Sequence, residues 1–168
     1  MELLDIYSKE GEKLGIVKSR EVAHEEGLWH KIACMFIVNS KGEVLMQKRS
    51  GLKKTNPNGW GCSASGHIDA GENIIAGALR ELDEEIGAKV SKEELNYVGT
   101  VFENYETNNM KIAHIAEVYL IHKDIDVKDL SLQEEEVSDA KYYTIEEASK
   151  TDFAQKHKGI FELLKSNL

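Results

Sequence analysis

Apolar positions fall into short runs broken by polar turns along most of the chain, and two stretches read as longer helices. Residues 3–7 and 14–18 flank SKEGEK, a turn signal, and predict an N-terminal β-hairpin. Ser19 suits the cap of a short helical turn running to Glu25. Residues 32–39 form a buried-strand pattern, and NSKG turns the chain into a second strand over 43–49. Residues 51–59, GLKKTNPNG, hold the only proline, Pro57, and predict a loop. Residues 74–87 have helix-forming composition without proline. Two strands are expected at 95–104 and 111–122, then an acid-rich polar loop over 124–138 and a short strand at 140–143. Ser91 with Glu94, and Thr144 with Glu147, carry capping-box spacing. Ile160, Phe161, Leu163 and Leu164 place one closing helix within 153–168. Strands surrounding one long helix, with a helix at the end, predict a mixed α/β domain.

A chain of 168 residues fits one domain, 1–168, with room for a core. Its 41% hydrophobic and 30% charged content is that of a globular protein. No apolar run approaches membrane-spanning length, and the N-terminal residues show no basic segment followed by an apolar one, so a cytoplasmic location is expected. Cys34 and Cys62 form no metal-type pair and read as reduced thiols. The net charge of −9, from 30 acidic and 21 basic residues, argues against a nucleic-acid polymer as partner. It leaves a phosphate substrate open, because a bound cation can dominate the local field.

The chemistry concentrates in residues 66–88, GHIDAGENIIAGALRELDEEIGA. Glu81, Glu84 and Glu85 stand at i, i+3 and i+4, on one face of a helix. Adjacent carboxylates repel, which a purely structural helix has no use for, whereas an oxygen-preferring dication such as Mg²⁺ or Mn²⁺ removes the conflict. Arg80 is placed to pair bidentately with Glu72 and hold the preceding loop on the helix. Gly66 and Gly71 permit a tight turn and a close backbone approach.

This run, G-x5-E-x7-R-E-U-x-E-E-x-G-U with U apolar, resembles a Nudix box, the signature of a family that cleaves nucleoside diphosphates linked to another group. The resemblance implies a Nudix-type α/β/α sandwich with a mixed β-sheet, to which the N-terminal β-hairpin is added. It implies that Glu81, Glu84 and Glu85, with Gly66, hold Mg²⁺ (or Mn²⁺). Glu84 or a neighbouring glutamate would then serve as general base, supported by Glu81 and Arg80, for water attacking a diphosphate phosphorus. Nudix domains often form homodimers, and the hairpin and the closing helix are the candidate surfaces.

The stretch SREVAHEEGLWHKIACMFIVNSKGEVLMQKRSGLKKTNPNGWGCSASGH is similar to the isopentenyl-diphosphate isomerase branch of that superfamily. In that branch histidines bind a metal, and His24, His30 and His67 match them, with a one-residue contraction between His24 and His30. Arg49 and Lys53 match its diphosphate-binding basic residues. The departures favour another reaction. The isomerase cysteine before the box glycine is Ser65 here, Cys62 lies three residues too early, and the later acidic pair falls near 109–111, where no carboxylate is in register. Isomerisation needs a proton donor and acceptor across a carbon skeleton, while hydrolysis needs clustered carboxylates, metal and water. The intact Arg80, Glu81, Glu84 and Glu85 therefore predict hydrolysis of a nucleoside diphosphate-linked or other small diphosphate. An isomerase using Ser65 or Cys62, and a catalytically silent ligand-binding module, stand as alternatives. Glu135 and Glu136 read equally as a further ligand or base and as a solvated loop, His24 and His30 read also as ordinary surface or hydrogen-bonded histidines, and Arg49 and Lys53 also as plain solvated charge. Trp60 and Tyr105 read as packing residues.

Overall fold

Both faces of the first core strand are apolar, which requires cover on two sides. In the computed structural model, which describes all 168 residues, that cover is a helix on one face and a helical cluster on the other. The chain starts with an antiparallel hairpin, β1 (Leu3–Tyr7) and β2 (Lys13–Ser19). Ser19 Oγ accepts from the Val22 N–H at 3.2 Å and caps α1 (Arg20–Glu26). Next come β3 (His30–Val38), β4 (Val44–Arg49), β5 (Trp60–Gly61), β6 (Ala64–His67) and α2 (Ile74–Ile86). They are followed by β7 (Asn96–Thr107), β8 (Met110–His122) and β9 (Val137–Tyr143), then α3 (Ile145–Ser149), α4 (Asp152–Lys156) and α5 (Lys158–Ser166).

The main sheet runs β5-β4-β3-β8-β7, with β6 also on β3 and β9 also on β4. β3 and β8 are parallel and the other pairs antiparallel, so the sheet is mixed. One edge of β3 is divided, with Ile37 and Val38 pairing β4 while residues 32–35 pair β6. Ser63 bridges the division, accepting from the Ile37 N–H at 2.8 Å and donating to the Leu45 carbonyl. The divided edge brings the chain leading into α2 against the middle of the sheet.

Alternation along β3 builds the layers. Ala33, Met35 and Ile37 pack with Ala78, Leu82 and Ile86 of α2. Phe36 and Val38 pack with Ala154, Ile160, Phe161 and Leu164 on the other side. Each such Leu, Ile or Phe contributes about 1.5–3 kcal/mol through burial. The result is an α/β/α sandwich with an N-terminal hairpin. No helix is long and apolar enough to cross a membrane.

The largest departures from the sequence expectation are at the β7–β8 turn, the start of β9 and the closing helix. β7 and β8 run on past Asn104 and begin before Lys111, meeting at Asn108 and Asn109, both with positive φ. Two left-handed residues make the tight turn that suits the twist of paired strands, and asparagine tolerates that conformation. β9 starts at Val137 rather than Ala140, because the sheet pairing reaches back to Arg49 through a register shift. The closing helix breaks at His157, at φ −114° and ψ 55°, where its ring Nδ1 lies 2.9 Å from both oxygens of Glu103 on β7.

Candidate active site

α2 begins where the Asn73 side chain accepts from the N–H groups of Ile75 and Ala76, at 2.9 and 3.3 Å. It stops at Gly87, whose φ of 66° places it in the left-handed region. A Cβ there would also lie 2.8 Å from Ser131 Cβ and 3.0 Å from its backbone nitrogen, so the acidic loop closes over this position. With Leu82 and Ile86 turned into the core, Glu81, Glu84 and Glu85 face the loop before the helix.

Arg80 organises that loop. Its Nε donates to Glu72 Oε2 at 2.8 Å and its Nη2 to Oε1 at 2.9 Å, the bidentate pair expected from the sequence. Nη2 also donates to the His67 carbonyl at 3.2 Å, and Nη1 to Glu81 and Glu84 at 2.8 and 3.3 Å. The Arg80 guanidinium is the first cause holding Glu72 below the usual carboxylate range. Gly71 supplies a left-handed turn, φ 78°. Gly66 has no positive φ, and its role is different from a turn: a Cβ there would sit 2.2 Å from Glu81 Cδ.

The three glutamates are unequal. Glu85 is buried, its Oε1 accepting from Gln47 Nε2 and the Ser65 N–H, both at 3.0 Å. Burial pushes its carboxyl up to about 8, with repulsion from Glu81 adding to it. Burial pushes Glu81 up to about 7 despite the opposing pull of Arg80. Glu84 is about half exposed and makes one ion pair, with Arg80. Buried carboxylates that resist ionisation, beside a glycine that leaves room for one of them, fit an oxygen-preferring dication. Gln47 escaped sequence reasoning, its only signal being one amide in a buried strand.

A second cluster lies beside the first. His24 on α1, His30 on β3, His67 on β6 and His114 on β8 hold their nitrogens within 4.8 Å of one another. His30 Nδ1 is 2.9 Å from the Leu28 carbonyl and His67 Nδ1 is 3.1 Å from Glu2 Oε1. The Nε2 atoms of His24, His30 and His114 are buried without a partner. The hydrogen-bonded reading of His24 thus has no support, and for His30 it holds at one ring nitrogen only. His114 was not anticipated. It occupies the strand where the acidic pair is missing, and parallel pairing of β3 with β8 sets it opposite His30.

Burial lowers His24 to about 4 and His30 to about 3, from 6.5. Between those values and 6.5 the unfolded chain binds protons that the folded chain refuses, so their contribution to stability falls as pH falls through this window. In chelator, Tm from pH 8 to 4.5 should drop more steeply for the wild type than for a His24→Gln variant. Parallel slopes would show that His24 does not contribute.

Glu81, Glu84 and Glu85, with His24, His67 and His114, line one cleft of about 890 Å³, while His30 is fully buried. Arg49 and Lys53 lie on its wall, Arg49 donating to the Thr55 carbonyl and Oγ1 at 3.0 and 2.9 Å, and Lys53 paired with Glu136. Glu136 lines the cleft, while Glu135 is exposed and outside it. Ile112, Phe153, Ile160 and Tyr105 also line the cleft. Trp60 also lines the cleft and packs on Tyr143, with Lys141 over its ring. Cys34 and Cys62 are free and buried.

A mixed sheet between helical layers, with an arginine-braced carboxylate helix at its divided edge, defines a Nudix-type α/β/α sandwich. Residues 28–164 match the family model described as NUDIX domain, and the chain belongs to that family. It is 35% identical over 151 residues to Nudix hydrolase 3 of Arabidopsis thaliana, covering 87% of this chain and 20% of that protein. An uncharacterised Nudix hydrolase of Clostridium acetobutylicum is 34% identical over 139 residues, covering 81% of this chain and 66% of the relative. The chain thus spans a fifth and about two thirds of the length of these two relatives. Bacterial isopentenyl-diphosphate Delta-isomerases are relatives too. A MutT protein from Methanosarcina mazei shares the fold, with a TM-score of 0.67 at 22% identity over 83% of this chain and 94% of that one. Nudix hydrolases generally use divalent metals.

Proposed function

We propose that residues 1–168 act as one unit, a divalent-metal-dependent pyrophosphohydrolase that cleaves the diphosphate bond of a nucleoside diphosphate derivative or another small diphosphate. The observation that carries this reading is the braced carboxylate row, in which Arg80 spans Glu72, Glu81 and Glu84 while Glu81 fills the space beside Gly66. Glu81, Glu84 and Glu85, with the Gly66 backbone, would hold Mg²⁺ or Mn²⁺, which when bound neutralises phosphate charge and lowers the pKa of water. Glu84, exposed to the cleft and least engaged, accepts the proton of the attacking water. Arg49 and Lys53 bind the diphosphate, Lys53 after leaving Glu136. Glu136 is the further acidic residue within reach of the cleft.

Ser65 supports hydrolysis over isomerisation. Its backbone N–H positions Glu85, and no thiol stands at this place in the strand. The substrate is read as a small molecule and the location as cytoplasmic, with no nucleic-acid polymer involved.

Phosphate release is measured across nucleotide sugars, nucleoside triphosphates and prenyl diphosphates, with Mg²⁺ or Mn²⁺ titrated. Turnover is expected only with metal, and its metal affinity should rise as pH passes through about 7 to 8, where Glu81 and Glu85 lose protons. Tight ligand binding without turnover would replace this reading with that of a silent binding module. Solvent deuterium appearing in isopentenyl diphosphate would replace it with an isomerase.

A further inference from the structure

We propose that His157, aimed by Glu103, selects the organic group of the diphosphate, admitting a ring-bearing group with hydrogen-bonding atoms, of the nucleoside kind, and turning away a hydrocarbon chain. The proposal rests on the pyrophosphohydrolase reading for the diphosphate itself and concerns the half of the substrate that the acidic row does not hold.

The observation is the junction of α4 and α5. The helix breaks at a histidine, with neither proline nor a positive φ to cause it. Backbone pairing survives on both sides, the His157 N–H donating to the Phe153 carbonyl at 2.8 Å and its own carbonyl accepting from Phe161 at 3.0 Å. What the break achieves is to turn the ring onto β7, where Nδ1 lies 2.9 Å from both oxygens of Glu103. The Glu103 side chain is only 12% exposed and has no other partner. A carboxylate engaged at Nδ1 fixes the proton and the ring there and leaves Nε2 for another group. That Nε2 has no partner within the chain and, unlike those of His24, His30 and His114, is not sealed from solvent. A tie between helix and strand needs Nδ1 alone, and an aimed, open Nε2 on a cleft wall suits a ligand.

The surroundings suit a planar ring. The Phe153 ring lies 5.0 Å from the His157 ring and the Tyr105 ring 5.9 Å away, edge to face. Glu103 and Tyr105 share one face of β7, and all four side chains line the cleft. The charge of Arg49, assigned above to the diphosphate, acts on the Tyr105 phenol against the burial that raises it. A group attached to a diphosphate on Arg49 therefore comes against these rings. Aromatic faces stack on a nucleobase, and an imidazole nitrogen pairs with its N–H or with a ribose hydroxyl. A hydrocarbon chain at the same place would strip water from Nε2 and from the Glu103–His157 pair and offer no hydrogen bond instead. Glu103 acts through His157 and is a positioning residue.

The test uses the full chain with Mg²⁺ and two probes that share a diphosphate and differ in the organic group, ADP and isopentenyl diphosphate. Calorimetry is expected to show ADP bound at least about tenfold more tightly by the wild type, and His157→Phe to weaken ADP by about 10–100-fold without weakening isopentenyl diphosphate. Glu103→Gln should narrow the preference in the same direction, and His157→Gln, which keeps a hydrogen-bonding amide, should restore part of it. A merely structural tie would shift both probes alike. The double variant Glu103→Gln/His157→Phe leaves no carboxylate unpaired and gives the same readout where the single variant fails to fold. Equal affinity of the wild type for both probes, binding of neither, or a preference unchanged in the phenylalanine variants would overturn the proposal. Binding is read apart from turnover, so absence of hydrolysis would remove the pyrophosphohydrolase reading while the binding preference still decides this one.

Discussion

Glu84→Gln is expected to lower kcat by about 10²–10⁴-fold with KM little changed, the range for loss of a positioned general base. Glu84 is the one carboxylate of the row that is about half exposed on the cleft, and its single ion pair is the 3.3 Å contact with Arg80. Glutamine keeps the size and a carbonyl oxygen but cannot accept the proton. Because the side chain is outside the core, stability should stay within about 0.5 kcal/mol of the wild type. Steady-state kinetics at saturating Mg²⁺, with a thermal melt of the same preparation, give both quantities. Turnover within tenfold of wild type would move the base to Glu81, Glu85 or Glu136.

Gly66→Ala should lower kcat by about 100-fold or more and weaken metal binding at the acidic row, because an ångström of misplacement at a reacting centre has that effect. The added Cβ would lie 2.2 Å from Glu81 Cδ and 2.3 and 2.6 Å from its oxygens. The carboxylate must leave, and with it goes the 2.8 Å pair to Arg80. What moves is the end of a flexible side chain, so the protein should still fold, with a loss of about 1–3 kcal/mol from overpacking. Calorimetric Mg²⁺ titration and melts check both. Wild-type metal affinity in the variant would show that Glu81 is not a ligand.

Where information is local, the sequence was a reliable guide. Capping at Ser19, the hairpin turn, and the Arg80–Glu72 pair all depend on residues close together in one element or loop, and all are present. Glu81, Glu84 and Glu85 share a face because helical geometry alone puts i, i+3 and i+4 there. The break at His157 was not readable, because the helical pattern of the closing segment is overridden by Glu103 on a distant strand. Of the two roles expected of Gly66, a tight turn and a close approach, the structure bears the second, because Glu81 from the next helix comes against it.

By itself, then, the sequence determined the family, the mixed α/β architecture and the acidic helix, since these rest on periodicity and fixed spacing within short segments. Only the tertiary structure decided that Gln47 orients Glu85, that Glu135 stands apart from the cleft, and that His114 completes the imidazole cluster. The reason is strand register. Nothing in a one-dimensional pattern says that β8 will lie parallel to β3 with His114 opposite His30, and that pairing emerges only when both faces of the sheet find their cover.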